Sequence, residues 1–313
     1  MLTYVIRRVV ATLPVMAVVA LFVFALLHLG PGDPAAIIAG DTATAADIAR
    51  IHHALGLDQP LYVQFGEWVW RLLHGNLGIS IFTGLPVLTL IAQRLEPTLS
   101  LTILTLAVSV LIAVPIGMLA AAKAGSWIDR TIMLFAVLGF SVPVFVIAYV
   151  LIYLFAVRTN LLPVQGFVGI ERGLWPYLSH LIMPTLALAM VFAALIARMT
   201  RTSMLEVLAQ DYIRTARAKG LTNSRVLLGH ALKNAAVPIV TVIGIGFALL
   251  ISGVVVTETV FAIPGLGSLT VDAILRRDYP VIQGLILIFS AGYVLVNLLV
   301  DLSYTLLDPR IRY

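Results

Sequence analysis

Long stretches without Asp, Glu, Lys or Arg decide what this sequence can fold into. Six of them are mostly apolar: Val9–Leu29, Pro97–Ala122, Thr131–Val157, Leu181–Ala197, Ala235–Thr257 and Tyr279–Val300. The fourth is short, but its uncharged window reaches back to Gly173. About 20 mostly apolar residues carry a helix across the hydrocarbon core of a bilayer. The composition agrees: 61% of residues are hydrophobic and 11% charged, whereas soluble domains carry about 45–50% and about 25%. The expected fold is an all-α membrane protein of six transmembrane helices.

Several windows carry Pro or Gly: Pro14, Pro115, Gly117, Pro143, Pro184, Gly244 and Gly246. In a membrane bundle, neighbouring helices and local distortion satisfy the backbone groups that such residues free, so kinks are expected and none of these residues marks a site by itself. Lys and Arg set the orientation. With the N-terminus in the cytoplasm, thirteen of the twenty fall inside, from Arg7 and Arg8 to Arg310 and Arg312. Arg50, Arg71, Arg94, Arg158, Arg172, Arg276 and Arg277 fall outside. The positive-inside bias therefore gives an N-in/C-in arrangement. The N-terminal Arg7-Arg8 and apolar run mimic a signal peptide, but the run is long enough to span and no small-x-small cleavage site follows, which makes it an uncleaved anchor.

The net charge of +5 is a topology signal rather than a nucleic-acid footprint, because the basic residues sit between apolar spans. With no cysteine, disulfides, thiolate metal sites and cysteine nucleophiles are excluded. The chain has no G-x-x-x-x-G-K-[ST] phosphate loop, no H-E-x-x-H or EF-hand pattern and no G-x-S-x-G serine. His28, His52, His53, His74, His180 and His230 are scattered. No catalytic or metal-ligating constellation emerges, so no self-contained enzyme is expected.

Three segments between the windows carry information. The first, 30–96, opens with the turn sequence Gly30-Pro31-Gly32-Asp33-Pro34. A short helix over Asp47–Leu55, a break at Gly56–Pro60 and an amphipathic helix over Tyr62–Leu73 follow, the last with Tyr62, Phe65, Val69 and Leu72 on one stripe. Trp68 and Trp70 suit a membrane interface. The segment reads as a folded cap, a docking surface for a substrate-delivering protein, or both.

The second segment, Arg198–Lys233, holds seven of the twenty basic residues. Leu205–Gly220 reads as a helix with Leu205, Leu208, Tyr212 and Ala216 on one stripe and Glu206, Gln210, Arg214 and Arg217 largely off it. Gly220 ends it. Thr222, Asn223 and Ser224 offer an N-cap for a second helix over Arg225–Asn234. A helix–glycine–helix element of this kind suits the groove of a soluble partner, and a solvated basic loop is the other reading. The third segment, Glu258–Asp278, is apolar yet turn-rich, with Phe261, Ile263, Pro264-Gly265-Leu266-Gly267 and Arg276-Arg277-Asp278. It is expected to dip back into the bundle. Glu258 at the membrane edge either lines a pathway or faces water.

At the cytoplasmic loop the sequence resembles a known family. Asp211-Tyr212-Ile213-Arg214-Thr215-Ala216-Arg217-Ala218-Lys219-Gly220, then His230-Ala231-Leu232-Lys233-Asn234-Ala235 and Pro238, is similar to the coupling loop of bacterial ABC-importer permeases of the dipeptide, oligopeptide, glutathione and nickel group. Against the general pattern E-A-A-x3-G-x9-I-x-L-P, Arg214-Thr215-Ala216 replaces Glu-Ala-Ala, Gly220 matches and the proline comes five residues late at Pro238, departures that the peptide group itself shows. The resemblance extends to Tyr4–Arg8, Pro31–Pro34, Leu55–Pro60, Gly75-Asn76-Leu77-Gly78, Pro264–Gly267 and Asp308–Tyr313, which look like the first permease of such systems.

What the resemblance implies is a type I importer permease of the bacterial inner membrane, paired with a second permease. It implies two ATPase subunits beneath, which hold the ATP and magnesium, an external binding protein above, and no cofactor in this chain. Asp211, Tyr212, Arg214, Thr215, Ala216, Arg217, Ala218, Lys219 and Gly220 would contact the ATPase. Tyr212, Ala216 and Gly220 would pack there, and Arg214, Arg217 and Lys219 would pair with acidic residues. Asp33, Glu258, Phe261, Pro264, Gly265 and Gly267 would form an external gate or binding-protein contact. The division is 1–29 as tail and first helix, 30–96 as external segment, and 97–313 as a five-helix core with a coupling loop at about 198–234. Substrates of the group include di- and oligopeptides, glutathione, nickel chelates and haem, and Leu55–Tyr62 looks closest to the glutathione and dipeptide branch. A stand-alone secondary transporter or channel is the rival class, but Glu258, Asp278 and Asp301 sit at span ends and no internal repeat is detectable. A membrane enzyme would need the catalytic constellation that the sequence lacks.

Overall fold

The computed structural model describes residues 2–29, 44–46, 53 and 58–307. Outside the described residues lie the Gly30–Pro34 turn with Asp33, most of the helix expected over Asp47–Leu55, the start of the Gly56–Pro60 break and the closing Asp308–Tyr313. Among the described residues the regular structure is helical, with one isolated bridge between Ile79 and Pro86.

Eleven helices organise it: α1 Leu2–Leu29, α2 Leu61–Leu73, α3 Val87–Ala122, α4 Trp127–Ser141, α5 Val144–Leu151, α6 Leu174–Leu208, α7 Asp211–Ala218, α8 Leu232–Gly253, α9 Val255–Val260, α10 Leu266–Leu275 and α11 Tyr279–Leu307. A π-helical turn, Ile152–Arg158, extends α5. A short helix Asn223–Arg225 and a second π turn, Val226–Ala231, lead into α8.

Each of the six windows falls on helix. Five are long enough and apolar enough to cross a membrane as continuous helices, and the third is α4 plus α5, bent by 97° at its break. The single straight span expected over Thr131–Val157 is thus corrected to a broken one. Pro143 has no N–H to give the helix, and its ring pushes the preceding residue out of the helical region. Val142 is accordingly extended, with φ −85° and ψ 126°. Pro14, Pro97, Pro115, Pro184 and Pro238 all lie inside helices. The second window also begins earlier than its charge-free stretch, because Arg94 and Glu96 lie within α3.

By contacts the chain divides into two units. One comprises Met1–Ile6, Leu95–Ser268 and Gly292–Tyr313, and the other Arg7–Arg94 and Leu269–Ala291. In the second unit, Phe24 of α1 meets Phe65 and Trp68 of α2 at ring-centroid distances of 5.2 and 5.8 Å. The helix is the one that the periodicity predicts, with Phe65, Val69 and Leu72 of its stripe half-buried, but Tyr62 falls outside the packed face at 78% exposed. Trp70 instead remains 63% exposed. The Gln283 amide donates to the carbonyl of Val23 at 3.0 Å. Ser80 donates to the buried Asp278 carboxylate at 2.5 Å, and the Ile81 N–H donates to it at 3.2 Å.

In the first unit one apolar cluster gathers Leu101, Ile147, Leu181, Met183, Leu250, Phe261 and Ile263. Another gathers Met204, Ile213, Ala216, Val226, Ala235 and Ile239. Lipid tails give no hydrophobic drive between helices, so close packing of small residues holds them. At the crossing of α3 and α6, a Cβ on Gly117 would lie 2.6 Å from the Ala197 carbonyl oxygen.

Candidate functional site

Two constructions stand out, both within the first unit: a short ridge after α6 and a turn-rich loop after α9.

The ridge is α7. The single helix expected over Leu205–Gly220 is corrected to two, because α6 ends at Leu208 and Gln210, extended at ψ 149°, starts α7. The break resets the phase of the apolar stripe. Ile213, with no exposed surface, and Ala216 face inward against Met204, Val226 and Ala231. Tyr212, placed on the inward stripe by the sequence pattern, is 44% exposed instead. Its partial burial still pushes the phenol above the usual range, so it presents a neutral aromatic surface. Asp211, Arg214, Thr215, Arg217, Ala218, Lys219 and Gly220 are exposed. Asp211 and Arg214 pair on the surface at 3.2 Å, a contact that contributes little.

Gly220 ends the ridge by a mechanism visible in its hydrogen bonds. Its N–H donates to the Arg217 carbonyl at 2.9 Å, and the Leu221 N–H donates to the Ala216 carbonyl at 3.3 Å. This is the Schellman pattern, which requires a left-handed residue just past the helix. Gly220 supplies it with φ +81°. Thr222 then stands at the N-cap of Asn223–Arg225 without a side-chain capping bond.

Above the ridge an ion pair fixes the end of α6. Arg201 holds Asp129 at the start of α4 through two bonds, Nε to Oδ1 at 2.5 Å and Nη2 to Oδ2 at 2.7 Å. Asp129 is 3% exposed and also accepts the Gly125 N–H at 2.9 Å. Nothing in the sequence pairs the two, because Asp129 and Arg201 lie among the charges that flank uncharged windows, where charges are ordinary. The available signal was Ser126, which caps α4 by accepting the Asp129 N–H.

The loop after α9 folds back into the core, as its apolar character predicts. Phe261, Ile263 and Leu266 are each 1% exposed. Its centre is Glu258, which has no exposed surface and so does not face water. The Thr98 hydroxyl donates to Glu258 Oε1 at 2.6 Å, and the Ser268 N–H donates to Oε2 at 2.8 Å. The Leu266 N–H donates to the Thr98 oxygen at 2.8 Å, and the Ile263 N–H to the Glu258 carbonyl at 2.8 Å. Gly265 and Gly267 make the room. A Cβ on Gly265 would run into the Glu258 carboxylate, and one on Gly267 would sit 2.9 Å from Oε2. Pro264 alone of the five described loop candidates is exposed; Glu258, Phe261, Gly265 and Gly267 are buried. Thr98 is the partner that the sequence did not reveal, since one threonine inside an apolar window carries no mark. No group of three or more His, Cys, Asp or Glu that could hold a metal ion occurs among the described residues.

A fold of membrane-spanning helices, a packed ridge and an inward-folded loop can be compared with known proteins. The model of the binding-protein-dependent transport system inner membrane component family matches residues 113–313, and the model of its N-terminal part matches residues 1–102. The chain belongs to that family. It is an inner-membrane permease component that crosses the bilayer several times. Family relatives align end to end. The chain is 57% identical over 310 residues to a protein of Sinorhizobium fredii named as a peptide ABC transporter permease, covering 99% of both chains. It is 41% identical over 337 residues to the dipeptide transport system permease protein DppB of Escherichia coli, covering 100% of this chain and 99% of the relative. Among solved structures, an inward-facing MetNI methionine ABC transporter chain aligns with a TM-score of 0.59 at 18% identity, covering 70% of this chain and 96% of that one. The family permease thus has the type I importer fold.

Proposed function

We propose that the chain is one of two permease subunits of an ATP-driven importer of dipeptides and oligopeptides. The substrate class follows the names of the Sinorhizobium and Escherichia relatives, which match across their whole length. The observation that carries the mechanism is the build of α7. Ile213 and Ala216 anchor it to the ends of the spanning helices, while Tyr212, Arg214, Arg217 and Lys219 point away from the chain's own core. A ridge seated this firmly moves with the bundle as a rigid body, which is what transmission of a motor's stroke demands.

In this reading ATP and magnesium belong to partner ATPase subunits that grip Asp211–Gly220. The termini and α7 lie on the cytoplasmic side, 30–96 faces outward and 97–313 forms the core. The loop around Glu258 lies toward the delivering protein. Glu258 holds that loop closed from within, and the exposed Pro264 is its outward contact. The test is uptake of labelled dipeptides into cells or vesicles containing the complete importer. ATP depletion is expected to abolish uptake, and the ATPase subunits are expected to co-purify with the chain. Uptake that survives ATP depletion but stops with a proton uncoupler would overturn this reading. A parallel panel with glutathione and nickel tests the substrate class.

A further inference from the structure

A groove between α4 and α6 combines an apolar wall with an arginine at one end. It is a cavity of about 190 Å3 lined by Met133, Val137, Phe140, Ala194 and Leu195, with Arg198 among its lining residues. On α4, Arg130, Met133, Val137 and Phe140 follow at intervals of three and four residues and therefore share one helix face. Arg130 and Arg198 are both exposed. No carboxylate within the described residues pairs with Arg198, whereas Arg201, three residues on, is held by Asp129.

We infer that this groove binds an anionic phospholipid, with the phosphate at Arg198 and Arg130 and an acyl chain lying along Met133 to Phe140. Three observations favour this occupant. The walls are apolar, one on α6, which is long and apolar enough to cross a membrane, and one on α4, which meets that measure together with α5, so the groove suits an acyl chain better than a water-soluble partner. The lining includes no carboxylate to balance the ammonium of a zwitterionic headgroup. Basic pockets between spanning helices are the places where anionic headgroups settle. A second groove beside α4, lined by Ile116, Phe135, Met190 and Ala193, has no charged lining residue, and it serves as the internal comparison. The inference rests on the membrane-spanning fold and is independent of the substrate.

The experiment uses the chain purified with its co-purifying subunits and reconstituted in phosphatidylethanolamine vesicles with a minor phosphatidylglycerol fraction. Trace probes of either headgroup carry a photoreactive acyl chain, and labelled peptides are mapped by mass spectrometry. The phosphatidylglycerol probe is expected to label Met133–Ser141 or the facing part of α6 about tenfold more than the phosphatidylethanolamine probe. The double variant Arg130→Gln/Arg198→Gln is expected to bring the two probes level, and Arg130→Lys/Arg198→Lys to retain the preference. Equal labelling of the wild-type groove by both probes overturns the inference. So does a preference that survives the Gln pair, or labelling absent because another subunit covers the groove. Should the Gln pair fail to fold, the wild-type headgroup ratio decides the question.

Discussion

Thr98 and Glu258, 160 positions apart in sequence, share a hydrogen bond of 2.6 Å with neither residue exposed. The carboxylate organises the loop that follows it, and the threonine relays the arrangement to the Leu266 backbone. Removing the hydroxyl leaves a buried acceptor short of a donor. Thr98→Val is expected to cost about 2 kcal/mol, within the range for leaving a buried polar group unsatisfied. Thermal unfolding in detergent measures the loss, and limited proteolysis is expected to cut the loop between Phe261 and Ser268 faster. An unchanged cleavage rate would refute the relay.

Gly265→Ala is expected to be worse than Thr98→Val. The added methyl competes with the Glu258 carboxylate for the same space, and overpacking in a filled core costs about 1–3 kcal/mol. Pairing it with Glu258→Ala is expected to restore part of the folded yield, because the obstruction is gone. Folded yield after size-exclusion chromatography reads both effects.

Asp129→Asn leaves Arg201 without its counter-charge in a site where Asp129 was 3% exposed. Loss of one partner from a buried pair costs about 3 kcal/mol. Arg201→Lys is expected to be damaging too, since one ammonium cannot reproduce two parallel bonds. Thermal unfolding of both variants, with substrate-stimulated ATPase activity of the assembled importer, measures stability and coupling separately.

Gly220→Val is expected to abolish uptake. A branched residue at φ +81° sits in a region costing about 1–3 kcal/mol, and the helix end is the part presented to a partner. Co-purified ATPase measured alongside uptake separates failed docking from failed transmission.

Tyr212 yields a prediction about pH. Its raised pKa means that folding favours the neutral phenol. The folded chain keeps its proton to higher pH than the unfolded one, so this contribution is intact below the ordinary tyrosine range and is lost as pH climbs through the folded value. Transport is therefore expected to show no dependence on this group between about pH 6 and 9, the window below an unperturbed tyrosine near 10. Tyr212→Phe is expected to match wild type there, and comparison of the two pH profiles is the check.

The spans were legible because charge cannot be hidden in hydrocarbon, and a run free of it, such as Tyr279–Val300, is readable without knowing any neighbour. The apolar loop after Glu258 announced its burial in the same way. Phase was not legible. The stripe through Tyr212 assumed an unbroken helix, and the turn at Ala209–Gln210 is set by how Ile213 seats against Met204 and Val226, contacts that no local pattern encodes. Pro143 breaks its span while Pro115 and Pro184 do not, and the three residues look alike in sequence. Partners such as Thr98 for Glu258 are fixed by helix packing, which a single chain does not spell out.

The bend at Val142–Pro143 also bears on how the chain enters the bilayer. α4 has 15 residues, a rod of about 22 Å at 1.5 Å per residue, well short of the roughly 30 Å of hydrocarbon. The limb beyond the bend is no longer. Neither limb is a self-sufficient insertion unit, and the peptide groups exposed at the bend need protein around them. During biosynthesis this segment is therefore expected to settle only after a neighbouring helix such as α6 has arrived to shield it. A chain truncated before Leu174 would hold its first two spans in the bilayer and leave the third without a stable seat.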